Sequence, residues 1–117
     1  MASVKFEDLE VWKRSARLSV ALYKTLGELR DIGFRDQITR SGLSVPSNIA
    51  EGMERRSSKD KQRYLDIALG SSAELKTQIY IGIQAGFIPD DTGRAWIRET
   101  REISAMLIGL RNNLTDH

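Results

Sequence analysis

The chain has 117 residues, enough for one domain over residues 1–117, and its 18 Lys and Arg against 16 Asp and Glu give a net charge of +2. A hydrophobic fraction of 40% and a charged fraction of 29% are typical of a globular protein and exclude an intrinsically disordered chain. Cysteine is absent, which excludes a disulfide framework, a thiolate nucleophile and a cysteine metal site.

The first element is predicted as a helix from about Glu7 to Arg30. Apolar residues recur in it every three or four positions and form two adjacent stripes. One stripe is Leu9, Trp12, Ala16, Tyr23 and Leu26, and the other is Val11, Leu18, Leu22 and Leu29. Together the stripes form an apolar face that is wider than packing against one neighbouring helix requires, which indicates either a thick core or a surface for self-association.

The second predicted helix follows Gly33 and carries one apolar face: Phe34, Ile38, Val45, Ile49 and Met53. Pro46 lies inside this helix, where a proline removes one hydrogen bond at a cost of ~3 kcal/mol. The apolar spacing keeps its phase across Pro46, so we predict one helix with a kink there. We expect Ser47 or Asn48 to bond backbone groups near the kink, and Gly52 to let the helix end or pack closely.

The third predicted helix runs from Ser58 to about Ala85, behind a cap at Ser57, and Gly86 is placed to take a left-handed conformation after its end. Its apolar stripe is Tyr64, Ile67, Ala68, Ser71, Leu75, Ile79 and Ile83. The fourth helix starts between Pro89 and Asp91, and its seam is Trp96, Ile103, Leu107, Leu110 and Leu114. Short connections between four helices predict an all-α, up-down-up-down antiparallel bundle.

Self-association is indicated a second time by small residues on the third helix, which permit close approach of another helix. They are Ser71, Ser72, Ala73 and Gly82. The alternative for the first helix is that Val11, Leu18 and Leu22 fill the core of a single chain.

The sequence gives little support to enzyme chemistry. The one histidine is His117, so neither a di-iron bundle site nor a Ser-His-Asp arrangement can be built. No metal, cofactor or small-molecule substrate is indicated. Glu51 and Glu74 are the one carboxylate pair that a bundle could bring together for acid–base work. The alternative is that each is solvated or bonded to a neighbouring arginine or to Asn48.

Positive charge is concentrated in nine residues, where Arg55, Arg56, Lys59, Lys61 and Arg63 are opposed only by Asp60. Arg35 and Arg40 precede them on the second helix. Such a patch can meet the phosphates of RNA or DNA, and the alternative is a solvated segment that keeps the protein soluble. Tyr64 is the only aromatic residue close by, so base-specific reading of single strands is not indicated.

No secretory signal is recognised at the N-terminus, and no apolar run reaches the ~20 residues that a membrane helix needs. We therefore expect a cytoplasmic protein without a membrane partner.

Several segments resemble a bacterial family of small four-helix-bundle proteins, named for members encoded in intervening sequences of large-subunit ribosomal RNA genes. The matching stretches are FEDLEVWK (6–13), RDQI (35–38), VPSNIAEG (45–52), RRS (55–57) and YLDIALGSSAEL (64–75). They contain Trp12, Pro46, Ser47, Asn48, Glu51 and Gly52, for which we expect an architectural role. Arg35, Arg55 and Arg56 also fall on the family pattern.

The resemblance implies a bundle with the proline inside its second helix, and a homo-oligomer that is commonly a ring of five. A related accessory protein of diversity-generating retroelements binds nucleic acid through a basic surface and contacts a reverse transcriptase. The role of most family members is unknown. The leading hypothesis is a non-enzymatic oligomeric bundle that binds nucleic acid, or a partner that processes it, through the basic residues. The alternative is a protein–protein scaffold.

Overall fold

A computed structural model describes residues 4–114, which form four α-helices and one short 3-10 helix and contain no β-strand. The 3-10 helix Phe6–Asp8 precedes α1 (Glu10–Leu26), α2 (Ile32–Met53), α3 (Ser58–Gln84) and α4 (Asp90–Asn112). Within these residues, no helix has the length and apolar character needed to cross a membrane. The predicted all-α class with four helices is confirmed.

The first helix is shorter at both ends than the predicted span from residue 7 to residue 30. Leu9 is extended, and it separates the 3-10 turn from α1. At the other end α1 stops at Leu26, and the next helix begins at Ile32 behind its own cap. That cap is Asp31, whose side chain accepts a hydrogen bond of 3.0 Å from the amide of Phe34.

The second helix continues through Pro46 to Met53 as one element. The side-chain amide of Asn48 donates to the Ser44 carbonyl at 2.8 Å and to the Ser44 hydroxyl at 2.9 Å. Of the two residues expected to bond the backbone in this turn, Asn48 does so, whereas Ser47 is exposed. The predicted apolar face is correct, since Ile38, Val45 and Ile49 are buried.

Local signals at the ends of α3 act as predicted. The Ser57 hydroxyl accepts a hydrogen bond of 3.1 Å from the Asp60 amide at the start of the helix. Gly86 follows the helix with a φ of +80°, a conformation that glycine adopts without steric cost. The chain then turns back, and the amides of Phe87 and Ile88 both donate to the Gly82 carbonyl.

The core differs from the predicted stripes in two helices. In α3, Leu65 is fully buried although it was not in the predicted stripe, and Ile67, which was, is 42% exposed. In α1, Val11, Leu18 and Leu22 are buried in the core, which is the thick-core alternative, and Tyr23 is exposed. The seam of α4 is confirmed, because Trp96, Ile103 and Leu107 are buried and Leu110 and Leu114 pack against them.

Contacts between successive helices run in opposite numerical order. Between α1 and α2, residue 27 contacts residue 35 and residue 22 contacts residue 42. Between α2 and α3, the pairs are Ser41 with Gln78, Ser44 with Ser71 and Gly52 with Tyr64. Between α3 and α4, they are Asp66 with Arg111, Ser72 with Ser104 and Tyr80 with Arg101. The described residues form a rod of 49 × 20 × 20 Å.

Candidate functional site

Five basic side chains lie where α2 ends and α3 begins, and we call them the basic end: Arg55, Arg56, Lys59, Lys61 and Arg63. All are exposed except Lys61, which is half-buried. Lys59 and Arg63 are four residues apart on α3 and therefore share one face of the helix. The structure thus brings together the cluster that the sequence predicted.

Tyr64 contacts two arginines of the basic end. The guanidinium carbons of Arg55 and Arg63 lie 4.7 and 4.8 Å from the centre of its ring, a distance typical of cation–π contacts. Arg55 also donates to the Tyr64 hydroxyl at 2.8 Å and to the Glu51 carboxylate at 2.9 Å. The tyrosine therefore fixes two guanidinium groups at the surface.

Gly52 is the reason that Tyr64 can lie so close to α2. Gly52 is buried, and a Cβ atom at this position would lie 2.7 Å from the Cβ atom of Tyr64. Only a glycine permits this approach, because Cβ atoms are bonded directly to the backbone and rotation of a side chain cannot separate two of them. Close packing was the role expected for Gly52, and this contact joins the VPSNIAEG segment (45–52) to the basic end.

Not all five cations are free. Arg55 is paired as described, and Lys61 donates from Nζ to the Met53 carbonyl at 3.0 Å, where α2 ends. Arg56 and Lys59 form no ion pair or hydrogen bond through their side chains with any residue between 4 and 114. Arg63 contacts the Tyr64 ring and no carboxylate of that same range. Three positive groups are consequently available to a ligand.

Arg35 and Arg40 do not belong to the basic end. With a rise of ~1.5 Å per residue, they lie about 30 and 22 Å from Arg55 along α2. Arg35 donates to the Gly27 carbonyl at 3.0 Å and lies 3.8 Å from the Asp36 carboxylate, so it supports the connection between α1 and α2. Arg40 is exposed at the surface of α2.

Glu51 and Glu74 do not form a carboxylate pair. The contacts of Ser44 with Ser71 and of Gly52 with Tyr64 place Glu51 near residue 65 of α3. Glu74 therefore lies about nine residues, or ~13 Å, farther along that helix. Glu51 instead accepts a hydrogen bond from Arg55, which is the alternative expected for it.

A second surface lies on the outer side of α1 and α2, and we call it the apolar face. It is a groove of about 470 Å³ lined by eight apolar or aromatic residues and two serines: Phe6, Trp12, Ala16, Ser19, Val20, Tyr23, Leu43, Pro46, Ser47 and Ala50. An adjoining hollow of about 590 Å³ on α1 shares Trp12, Ala16 and Val20 with it. Val20 is 52% exposed and Tyr23 is 48% exposed. The surplus apolar surface of α1 consists of these residues.

The small residues of α3 mostly serve contacts within the chain. Ser72 bonds Ser104, and a Cβ atom added to Gly82 would lie 2.4 Å from Ile88. Ser71 bonds Ser44 of α2, as given above. Of the four, only Ala73 is exposed.

One group of basic residues was missed by the sequence analysis. Arg94, Arg98 and Arg101 line a cleft between α3 and α4. Their spacing of four and three residues is the helical periodicity that was used for apolar residues, and the same test on charged residues would have found them. The three arginines are spread over eight residues with other residue types between them, so a search for densely clustered charge does not find them.

Comparison with known proteins identifies one family. The model of the family described as 23S rRNA-intervening sequence protein matches residues 7–109. A solved structure from Bacteroides thetaiotaomicron, of a protein of unknown function from the S23 ribosomal protein family, aligns with a TM-score of 0.81 at 28% identity. The alignment covers 86% of this chain and 97% of that one. No match was found among curated proteins.

Proposed function

The chain belongs to the 23S rRNA-intervening sequence protein family, and we propose that it is a non-enzymatic, oligomeric helical-bundle protein that binds nucleic acid through its basic end. We infer that residues 1–117 are one cytoplasmic domain with up-down-up-down topology and a kink at Pro46. The opposite numerical order of contacts between successive helices and the core that all four helices share support this topology.

The observation that carries the proposal is the set of unpaired cations at the basic end. Arg56, Lys59 and Arg63 are exposed and have no carboxylate partner among residues 4–114. Arginine and lysine side chains in this state bind phosphate oxygens and release counterions from the nucleic acid. The basic end therefore has the chemistry of a phosphate-binding surface.

The arrangement favours contact with the backbone of the nucleic acid over reading of its bases. The Tyr64 ring, the aromatic group nearest to these cations, already contacts two guanidinium groups and is half-buried. It is consequently not available as a stacking platform for bases. We expect binding that depends on salt and varies little with sequence.

The experiment measures binding of labelled structured RNA and duplex DNA at low and at physiological salt. The test variant is Arg56→Glu with Lys59→Glu, because neither side chain holds the fold together. Arg55 is left intact, since replacing it would also break the contacts with Glu51 and Tyr64. We expect at least about tenfold weaker binding, because two phosphate contacts become repulsive.

The matched control carries the same change in net charge far from the basic end. Arg30→Glu with Arg40→Glu replaces two exposed arginines and should leave binding close to that of the unchanged protein. Equal loss in both variants would mean that only the net charge matters. That result, or no binding at low salt, would reject the proposed interface and leave the protein–protein scaffold as the function.

We further propose that copies of this chain associate through the apolar face. The exposed Val20 and Tyr23 and the half-buried Trp12 line one apolar groove, a surface of the kind that marks protein interfaces. The number of subunits, five, comes from the family resemblance. Light scattering should then give about five times the 13.2 kDa of one chain.

Two variants test whether the apolar face, and not some other exposed apolar residue, forms the interface. Val20→Lys should lower the mass, because it places a charge in the centre of the proposed interface. Ile108→Lys replaces an equally exposed apolar residue on α4 and should leave the mass unchanged. A mass of one chain for the unchanged protein at micromolar concentration would exclude the assembly.

A further inference from the structure

A second basic site lies between the last third of α3 and the first half of α4. It is a cleft of about 420 Å³, and the lining side chains that matter here are Tyr80, Ile83, Arg94, Ile97, Arg98 and Arg101. The three arginines are spaced by four and three residues, so they form one row along α4. None of the residues of the basic end takes part.

Two carboxylates of α4, those of Glu99 and Glu102, bind α1 and do not line this cleft. Arg14 of α1 donates from Nε to Glu99 at 2.9 Å and its Nη2 lies 3.1 Å from Glu102. The Arg14 guanidinium lowers the pKa of Glu99, which keeps this carboxylate charged and bound to α1. Glu99 and Glu102 are thus occupied by Arg14 and leave Arg98 and Arg101 without a carboxylate partner on α4.

The arginines in the cleft are mostly without negative partners. Arg94 pairs with Asp90 at 2.9 Å on the same helix. Arg101 donates to the neutral hydroxyl of Tyr80 at 3.1 Å. The Arg98 side chain forms neither an ion pair nor a hydrogen bond with residues 4–114. Within the described part of the chain, only one of the three guanidinium groups of the cleft, that of Arg94, has a carboxylate partner.

Apart from Gln84, the other residues that line the cleft are apolar or aromatic. Ile97 and Ile83 lie beside the arginines, and the Tyr80 ring is 41% exposed. An apolar ligand would leave the guanidinium groups unpaired, and a bare phosphate would leave the exposed Tyr80 ring uncovered. A volume of 420 Å³ lies within the range of roughly 300–1,000 Å³ for small-ligand sites.

We propose that this cleft binds a nucleotide, with its phosphates on Arg98 and Arg101 and its base against Tyr80. A free nucleotide and the phosphorylated end of a nucleic-acid strand present the same chemistry. The site goes beyond the proposed function, because Tyr80 lies sixteen residues, or ~24 Å, along α3 from Tyr64 of the basic end. The two sites can consequently be tested separately.

The experiment is a calorimetric titration of the full chain with adenosine triphosphate, adenosine, inorganic pyrophosphate, and a dinucleotide with and without a 5′-phosphate. We expect saturable binding of the phosphorylated nucleotide ligands and none of adenosine. Tighter binding of the free nucleotide than of the dinucleotide identifies a free nucleotide as the natural ligand, and the reverse order identifies a strand end.

Three variants test the assignment of roles. Arg98→Ala should weaken nucleotide binding about tenfold, since one charge-assisted contact is lost, and Arg98→Lys should restore part of it. Tyr80→Leu should weaken binding of adenosine triphosphate and leave pyrophosphate unchanged. Arg98 has no described partner, so far-UV circular dichroism should show that Arg98→Ala remains folded.

Lys24→Ala is the control for position, because Lys24 is exposed on α1 and does not line the cleft, and it should leave nucleotide affinity unchanged. Absence of saturable binding at millimolar ligand, or an affinity that Arg98→Ala does not change, would overturn the proposal. If Tyr80→Leu changes the affinities for pyrophosphate and for adenosine triphosphate equally, the assignment to a nucleotide is overturned. None of these results depends on whether Arg56 and Lys59 bind RNA or DNA.

Discussion

Replacing Gly52 by alanine should destabilise the protein although alanine is the better helix former. An alanine Cβ atom would lie 2.7 Å from the Tyr64 Cβ atom and 3.4 Å from the Lys61 carbonyl. Neither group can rotate away, so α2 and α3 must separate by several tenths of an ångström. Overpacking of this kind costs about 1–3 kcal/mol, and the higher helix propensity of alanine returns about 0.5–1 kcal/mol.

The net expectation for Gly52→Ala is a loss of about 1–2 kcal/mol, or a fall in Tm of roughly 4–8 °C for a chain of this length. Thermal and urea unfolding followed by circular dichroism measure it. Gly70→Ala is the matched control, because Gly70 lies within α3 with nothing within 4 Å of its would-be Cβ atom. It should raise stability by up to about 1 kcal/mol. If both variants are equally stabilised, the close approach of Gly52 and Tyr64 is refuted.

Three further predictions concern stability. Arg14 lowers the pKa of Glu99, so their ion pair stabilises the fold above the unfolded carboxyl value of about 4.3 and is lost as the pH falls through the lower folded value. Glu99→Gln should therefore cost about 1 kcal/mol at pH 7, and urea unfolding should show this cost falling as the pH is lowered below about 4.3. A cost that does not change with pH would contradict this. Ser57→Ala removes the cap of α3 and should cost about 1 kcal/mol in the same assay, and no change would speak against the cap. Leu65→Ala should lower the free energy of unfolding by about 2–5 kcal/mol and Ile67→Ala by well under half of that, because only Leu65 is buried. The opposite order would mean that Ile67 faces the core, as the sequence pattern predicted.

The helices were predictable because their signals are local. A serine cap at residue 57, a glycine after the end of α3 and the apolar face of α2 each depend on residues within a few positions. The phase of α3 was not predictable in this way. Ala68, Leu75 and Ile79 of the predicted stripe are buried, but near the start of the helix Leu65 is buried and Ile67 of the predicted stripe is exposed. Only the packing of the neighbouring helices decides which of these nearby apolar residues faces inward.

The sequence predicts that the basic residues cluster, but it does not predict which of them are paired and which are free. The five cations of the basic end are close in sequence, so any connection between two helices places them together. That Arg55 is bound to Glu51 and Tyr64 depends on the approach of α2 and α3 at Gly52, which is a contact between separate helices. The same limit applies to the cleft beside Tyr80, which exists only when α3 and α4 are paired.

The salt dependence of nucleic-acid binding tests the central claim most directly. The logarithm of the association constant for a duplex should fall against the logarithm of salt concentration with a slope of about −0.9 for each phosphate contact. The three unpaired cations of the basic end therefore predict a slope near −3 per chain, and Arg56→Ala with Lys59→Ala should reduce its magnitude by about two. A slope that these two substitutions leave unchanged would contradict the account.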